Sequence, residues 1–226
     1  MGRRKFLRYT RAEHINEQII QHYVRSFPPA DLYMHRERFS RLDASHLFGN
    51  TQPLELEIGC GSAEPLCFQA KSHPETNYAG IDISGPSLQK AAEIAASQQL
   101  ENIVFLHADF HQLALLFVPQ AIHAVYLHFP DPHARPGHQK RRIFRPGFLD
   151  LMAYTLQPQG ILSVMTDHEG LFLDMLALLE NDARFARLHK ARSLQGPKHE
   201  AKSHFQRTWE RHGETIFRFE AYLLPT

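Results

Sequence analysis

Short apolar runs typical of β-strands alternate with helix-like stretches along this chain from residue 54 onward. Strands are predicted at residues 54–58, 78–83, 103–107, 124–129 and 160–165, and helices at residues 63–71, 86–98, 148–156 and 171–179. Such alternation is typical of a parallel sheet whose strands are joined by right-handed crossover helices. Residues 215–224 form a last strand with no helix after it, which favours antiparallel pairing at or near an edge. The sequence therefore predicts the α/β class, with a doubly wound, mostly parallel sheet and an antiparallel C-terminal strand.

The chain divides at about residue 50 into a basic extension and one large domain. Its 226 residues suffice for a single α/β domain with a full core. Residues 1–50 are predicted to be partly helical, and residues 51–226 to form the domain. The net charge of +1 conceals two acid-free basic segments, residues 1–11 and 133–145, each with five Lys or Arg residues. Because charge patches govern association more than net charge does, these segments indicate an anionic partner.

Composition disfavours several classes of protein. Cys60 and Cys67 are the only cysteines and form neither a disulfide framework nor a metal motif, which fits a reducing compartment. No apolar run approaches the roughly 18 residues of a membrane span, and the basic N-terminus lacks the apolar core of a signal peptide. The 16 histidines match no usual zinc spacing. We expect a soluble, cytoplasmic monomer or homodimer with no membrane segment and no metal.

The turn after the first predicted strand is acidic. It reads EIGCGSAE from Glu57 to Glu64, and Gly59 and Gly61 would allow a sharp turn and the close approach of a ligand. Glu64 stands where a dinucleotide fingerprint requires Gly or Ala, and its charge would repel a pyrophosphate. A cationic cofactor without phosphates suits such a turn better. The sequence therefore favours S-adenosylmethionine over NAD or a flavin dinucleotide.

Two further acids lie at the ends of the next two predicted strands. Asp82 lies 23 residues beyond Gly59, where a carboxylate accepts hydrogen bonds from ribose hydroxyls. Asp109 follows the third strand, where it would accept from the adenine amino group. A single strand-end acid is often only a helix cap. Acids at the ends of successive strands, in this order, indicate a nucleoside-binding edge.

The most informative stretch is the loop after the fourth predicted strand. The apolar run 124–129 stops at Pro130-Asp131-Pro132, because proline lacks the N–H that a central strand needs. Four cations surround the single carboxylate of Asp131; they are Arg135, Lys140, Arg141 and Arg142. Ligands of open α/β sheets bind outside the carboxyl ends of the strands, so we expect catalysis by Asp131 on a polyanion that these cations bind. A turn-capping aspartate in a solvated basic loop is the alternative.

Together these motifs resemble the tRNA (guanine-N7-)-methyltransferase family, from about residue 54 to residue 222. The family's Phe-Pro-Asp-Pro-Trp turn, Arg-His-x-Lys-Arg-Arg run and Glu-Ile-Gly-x-Gly-x-Gly motif stand here as FPDPH (129–133), GHQKRR (137–142) and EIGCGSA (57–63). The resemblance implies a Rossmann-like class I methyltransferase that uses S-adenosylmethionine and acts on tRNA. It also implies methyl transfer to N7 of a guanine in the variable loop, with Asp131 stabilising the positive charge that develops on the base.

Further family positions concern the substrate base. Thr166-Asp167 matches the family's Thr-Asp after the fifth strand, so Asp167 is expected to contact base or cofactor; a helix N-cap is the alternative. The family's Trp is His133 here, and its guanine-holding Thr-x-x-Glu element aligns with Ser203 and Gln206. Gln206 offers one acceptor oxygen where a carboxylate accepts from both N1 and N2 of guanine. Two alternatives stay open, namely a same-fold methyltransferase for another RNA or a small molecule, and a non-catalytic RNA-binding member.

Overall fold

A computed structural model describes residues 17–133, 137, 141–189 and 215–225, together with the backbone of residues 194 and 195. Within these residues one sheet contains nine strands: β1 (Val24–Ser26), β2 (Leu54–Ile58), β3 (Asn77–Asp82), β4 (Ile103–His107), β5 (Ile122–His128), β6 (Leu156–Thr166), β7 (Phe185–Arg187), β8 (Leu194–Gln195) and β9 (Phe217–Leu223). The helices are α1 (Glu17–Tyr23), α2 (Pro29–Met34), α3 (Ala44–Phe48), α4 (Glu64–Ser72), α5 (Gly85–Ser97), α6 (Phe110–Leu113), α7 (Pro146–Thr155) and α8 (Glu169–Glu180).

The strand order confirms the predicted architecture. The sheet runs β1-β4-β3-β2-β5-β6-β9-β7, with β8 also paired to β9. Strands β1 to β6 are mutually parallel, whereas β9 is antiparallel to β6, β7 and β8. The C-terminal strand therefore lies next to the edge, as its sequence position indicated. The chain order reverses direction across the sheet between β2 and β5, the kind of place where open α/β sheets bind ligands.

The N-terminal segment, predicted to be partly helical, also contributes a strand to the sheet. Helix α1 ends at Tyr23, and the next residues form β1, where Val24 is in register with Phe105 of β4. The N–H of Phe27 continues this ladder to the carbonyl of His107 at 3.0 Å. Hydrogen bonds offered by the open edge of β4 outweigh the local helical periodicity here, because strand formation depends strongly on context. Part of the basic extension is thus an edge strand of the main sheet.

Two apolar layers cover the sheet. One cluster includes Leu56 of β2 with Phe148 of α7 and Phe172 of α8. The opposite cluster includes Phe105 of β4 and Ala91 of α5. Side chains of a strand alternate between faces, and β4 supplies both layers, with Val104 and Leu106 in the first cluster and Ile103 and Phe105 in the second. The longest described helix, α5, has 13 residues, and no described helix has the length and apolar character to cross a bilayer.

Candidate functional site

The carboxyl ends of five neighbouring parallel strands meet at one edge of the sheet. Each end is followed or formed by one of the acids that the sequence singled out, namely Glu57 on β2, Asp82 on β3, Asp109 after β4, Asp131 after β5 and Asp167 after β6. The parallel register brings these positions together, since equal ends of parallel strands share one edge. The predicted cofactor acids and the predicted catalytic acid therefore line a single edge.

Three N–H groups of the turn after β2 are already used within the protein. The N–H groups of Gly59 and Cys60 both donate to the carbonyl of Ile81, at 2.7 and 3.1 Å. The N–H of Gly61 donates to the Asp82 carboxylate at 2.9 Å. Gly59 and Gly61 have φ values of +76° and +56°, a region that glycine enters without steric cost. The carboxylate of Asp82 thus lies against the glycine turn, where its charge would disfavour a pyrophosphate, as the acidic sequence of the turn indicated.

Asp82 is fixed by the backbone and keeps acceptor capacity. Its Oδ2 accepts from Gly61, and its Oδ1 accepts from the N–H of Ser84 at 2.8 Å. An ionised carboxylate has about four acceptor sites, so roughly two remain for further donors. The side chain is half-buried at the strand end. A ribose diol, with two adjacent hydroxyl donors, fits the remaining capacity.

Glu57 is a buried acid next to this carboxylate. Desolvation in the sheet raises its pKa from 4.5 to about 8, and the neighbouring charge of Asp82 adds to the effect. His128 of β5 approaches its Oε1 only to 3.7 Å, which is too long for a hydrogen bond. A cationic ligand close to Glu57 would favour ionisation and return its pKa toward the ordinary range. The pair of Glu57 and Asp82 therefore suits a positively charged nucleoside and would reject an anionic one.

Asp109 and Ile83, a residue that the sequence did not single out, lie on the same side of the edge, after β4 and β3. Asp109 is the N-cap of α6 and accepts from the N–H of His111 at 2.8 Å, so the capping role considered for it is present. Its proposed adenine contact stays a prediction. Ile83, directly after Asp82, is 74% exposed although large and apolar. The sequence signal for this residue was its place directly after the strand-end acid. Its exposed apolar side chain offers a contact surface for a base.

The Pro-Asp-Pro turn extends from β5 at the other half of the edge. The N–H of Phe129 donates to the carbonyl of Met165 on β6 at 2.7 Å, and the chain then leaves the sheet. Phe129 has φ +52° and His133 has φ +41°, a conformation that is costly for bulky residues and common at functional sites. Asp131 accepts from the N–H of His133 at 2.9 Å, while its side chain is 67% exposed. Asp131 thus closes the turn and also presents its carboxylate to solvent.

Arg141 and Arg142, which are neighbours in the basic segment 133–145, have different environments. Arg141 is exposed, as expected of a residue that binds phosphates. Arg142 is only 14% exposed, and its guanidinium donates to the carbonyl of Pro132 and to the carboxylate of Asp174. Two of its donors are therefore directed at the protein, and a contact between Arg142 and substrate phosphates stays a prediction. Arg135 and Lys140 lie outside the described residues.

The end of β6 resolves an alternative for Asp167. The N-cap of α8 is His168, whose Nδ1 accepts from the N–H of Leu171 at 3.0 Å. Thr166 Oγ1 accepts from the N–H of His168 at 3.2 Å. Asp167 is therefore not the helix cap, and it sits half-buried between β6 and α8. Ser203 and Gln206 lie outside the described residues, and within the described part of the chain no cluster of three or more His, Cys, Asp or Glu is placed to hold a metal.

Known proteins are similar to this chain in sequence and in fold. The family model described as "Putative methyltransferase" matches residues 51–219. A tRNA (guanine-N(7)-)-methyltransferase of Rubrobacter xylanophilus is 45% identical over 88% of this chain and 90% of its own. This chain belongs to the tRNA (guanine-N7-)-methyltransferase family. A relative of the same name from Chloroflexus aurantiacus is 37% identical, over 88% of each chain.

Solved structures with a similar fold are methyltransferases too. The antibiotic-resistance methyltransferase Kmr superposes with a TM-score of 0.60 at 14% identity, over 83% of this chain and 94% of its own. Another antibiotic-related methyltransferase superposes with a TM-score of 0.59 at 18% identity, over 79% and 92%. At these identities the likeness concerns the fold alone. That fold agrees with the predicted Rossmann-like architecture. Membership of the methyltransferase family implies S-adenosylmethionine as the methyl donor.

Proposed function

We propose that this protein transfers a methyl group from S-adenosylmethionine to N7 of a guanine in the variable loop of tRNA, forming 7-methylguanosine. The observation that carries the proposal is the coincidence of family membership with an acid-lined sheet edge whose charge suits a cationic cofactor and disfavours a pyrophosphate. It acts in the cytoplasm, where its tRNA substrate is found, as a monomer or homodimer.

The ends of β2, β3 and β4 form the cofactor half of the sheet edge, and the ends of β5 and β6 form the acceptor half. The cofactor half fits S-adenosylmethionine. S-adenosylmethionine supplies an electrophilic methyl group on a sulfonium when bound. Asp82 would accept from the ribose hydroxyls and Asp109 from the adenine amino group, with Ile83 in contact with the adenine face. Glu57 lies at the inner end of the same edge, where a carboxylate would balance the cationic part of the cofactor. Gly59 and Gly61 shape the turn that the cofactor would approach.

Chemistry at the acceptor requires alignment more than proton transfer. Guanine N7 has a lone pair and no proton, so no general base is needed for its attack on the methyl carbon. Holding the reactants in line can lower a barrier by roughly 7–11 kcal/mol. Positive charge moves from sulfur to the base during transfer, and the exposed carboxylate of Asp131 would stabilise it there. Asp167, at the next strand end, would help to orient the base.

The basic residues provide the RNA contacts in this proposal. The exposed Arg141, together with Arg135, Lys140 and the cations of residues 1–11, would neutralise backbone phosphates. Ser203 and Gln206 would hold the Watson–Crick edge of the guanine, as their alignment with the family implies. A small-molecule substrate would have no use for two such basic segments.

The proposal is tested with labelled S-adenosylmethionine and two tRNA transcripts that differ only in the variable-loop nucleotide, guanine or adenine. We expect label only in the guanine transcript, recovered as 7-methylguanosine after nucleoside digestion. Label in another nucleoside would identify a different base. Equal labelling of both transcripts would move the site out of the variable loop, and no transfer to either would contradict tRNA methylation.

A further inference from the structure

Arg142 connects the turn that carries Asp131 to helix α8. Its Nε donates to the carbonyl of Pro132 at 2.8 Å, and its Nη1 donates to Asp174 Oδ2 at 2.5 Å. Pro132 directly follows Asp131 in the chain, and Asp174 lies in the second turn of α8. Donation in two directions uses the planar fork of the guanidinium. A lysine ammonium, which is a single point charge, does not reproduce that geometry.

The surroundings of Arg142 are unlike those of an RNA-binding arginine. Its side chain is 14% exposed, whereas the neighbouring Arg141 is exposed. The carboxylate of Asp174 already neutralises the guanidinium and would repel an approaching phosphate. Arg142 therefore contributes less to phosphate binding than its place in a basic run indicates, and its effect on the molecule is internal.

The contacts of Arg142 affect how Asp131 and Asp167 lie relative to each other at the acceptor half of the edge. Helix α8 begins two residues after Asp167, so the contact with Asp174 ties the Asp131 turn to the element that Asp167 precedes. The bond from Phe129 to Met165 is the other attachment of the turn to the end of β6. Phe129 is held at a positive φ, and such a conformation persists only where surrounding contacts enforce it.

We propose that Arg142 and Asp174 act as a positioning pair that holds Asp131 at a set place relative to Asp167 for methyl transfer; this inference rests on the proposed function. Neither residue touches the reacting atoms. Their contribution is geometric, because a displacement of about 1 Å at a reacting centre can lower a rate by roughly 100-fold.

Three variants test the pair: Arg142→Lys, Arg142→Ala and Asp174→Asn. For all three we expect kcat with tRNA to fall about 10-fold or more, while KM for tRNA and the salt dependence of binding change little. Amide hydrogen exchange of Phe129 and His133 should become faster than in the wild type. Thermal unfolding is measured alongside, so that global destabilisation is distinguished from a local change.

Two matched controls isolate the effect. Asp150→Asn removes a similar surface carboxylate, 66% exposed against 62% for Asp174, that pairs with Arg184 instead. It should keep the wild-type kcat. Arg141→Ala should weaken tRNA binding and lower the slope of log K against log salt by roughly 0.7–0.9.

Opposite results would overturn the inference. If Arg142 binds phosphate, Arg142→Lys retains kcat, Arg142→Ala lowers the salt slope, and Asp174→Asn tightens tRNA binding. A wild-type protein that labels no guanine would contradict the proposed function. The exchange measurement would still decide the inference, because unchanged protection of Phe129 and His133 in Arg142→Lys would show that the pair does not hold the turn.

Discussion

The cofactor half and the acceptor half of the sheet edge hold their acids in contrasting ways. Glu57 is buried on a central strand, and Asp82 accepts from two backbone N–H groups. Asp131 is mostly exposed on a turn outside the sheet, which is attached through the backbone of Phe129 and the side chain of Arg142. Glu57 and Asp82 are thus held by the sheet itself, whereas Asp131 lies on a loop fastened to it.

The contrast follows from what each half would bind. A small cationic cofactor can enter a narrow edge, where desolvated carboxylates attract it strongly but destabilise the free protein. A tRNA is a large polyanion that must dock and leave, so its acid has to be reachable from solvent. We therefore expect changes in the cofactor half to alter stability and cofactor affinity, and changes in the acceptor half to alter turnover.

The largest effect should come from Glu57→Gln. The pKa of Glu57 is about 8 in the folded protein against an ordinary value of 4.5, so between these values the folded state keeps a proton that the unfolded state loses. The free energy of unfolding contributed by this residue therefore falls as pH rises from about 4.5 to 8. Near pH 8 the variant should be more stable than the wild type, by about 4 kcal/mol at most. Urea denaturation of both proteins at pH 5 and pH 8 measures this difference in the free energy of unfolding. A difference between variant and wild type that is the same at both pH values would show that Glu57 is ionised in the folded protein.

Asp131→Asn should lower turnover about 100-fold or more, because it removes the charge opposite the developing cation and keeps the shape of the side chain. Thermal stability and affinity for S-adenosylmethionine should stay close to wild type, since the carboxylate is 67% exposed. Single-turnover methylation and calorimetry provide the two readouts. Wild-type turnover would show that Asp131 only closes its turn.

Asp82→Ala should weaken binding of S-adenosylmethionine by roughly 1–3 kcal/mol, because ribose hydroxyls and the N–H of Gly61 lose their acceptor. Calorimetry of the wild type should show no binding of NAD, since the acids at the turn would repel a pyrophosphate and the N–H groups of Gly59, Cys60 and Gly61 are already used. Unchanged cofactor affinity in the variant would place the ribose elsewhere along the edge.

A moderate effect is expected from the exposed Arg141. Arg141→Ala should reduce the slope of log K for tRNA against log salt by roughly 0.7–0.9, with little change in cofactor affinity. Filter binding at several salt concentrations measures the slope. An unaltered slope would mean that the acceptor half holds RNA through other cations.

The smallest effect should come from Ala63→Gly in the cofactor half. Ala63 has φ +51°, a conformation that costs a non-glycine residue roughly 1–2 kcal/mol, and the family has glycine at this position. Loss of its buried methyl group acts in the opposite direction and lowers the free energy of unfolding by about 0.8 kcal/mol. We expect a net stabilisation below about 1 kcal/mol by urea denaturation; a clear destabilisation would show that packing of the methyl group dominates.

The amino-acid sequence by itself determined the main strands, the order of acids along them and the turn at Pro130-Asp131-Pro132. These features depend on local properties, namely the period of apolar residues, the missing N–H of proline and the charge of each side chain. The same local reasoning indicated an acidic cofactor turn, and the use of its N–H groups by Ile81 and Asp82 agrees with it.

Only the tertiary structure decided which neighbours those residues meet. Residues Val24–Ser26 form a strand because they pair with the edge of β4. The raised pKa of Glu57 depends on its burial by the whole sheet. Within the basic run, Arg141 and Arg142 are adjacent and chemically alike, yet one is exposed and the other binds Asp174. The distinction comes from Asp174 of helix α8, which is 32 residues away in sequence and close in space, and no local pattern encodes such a contact.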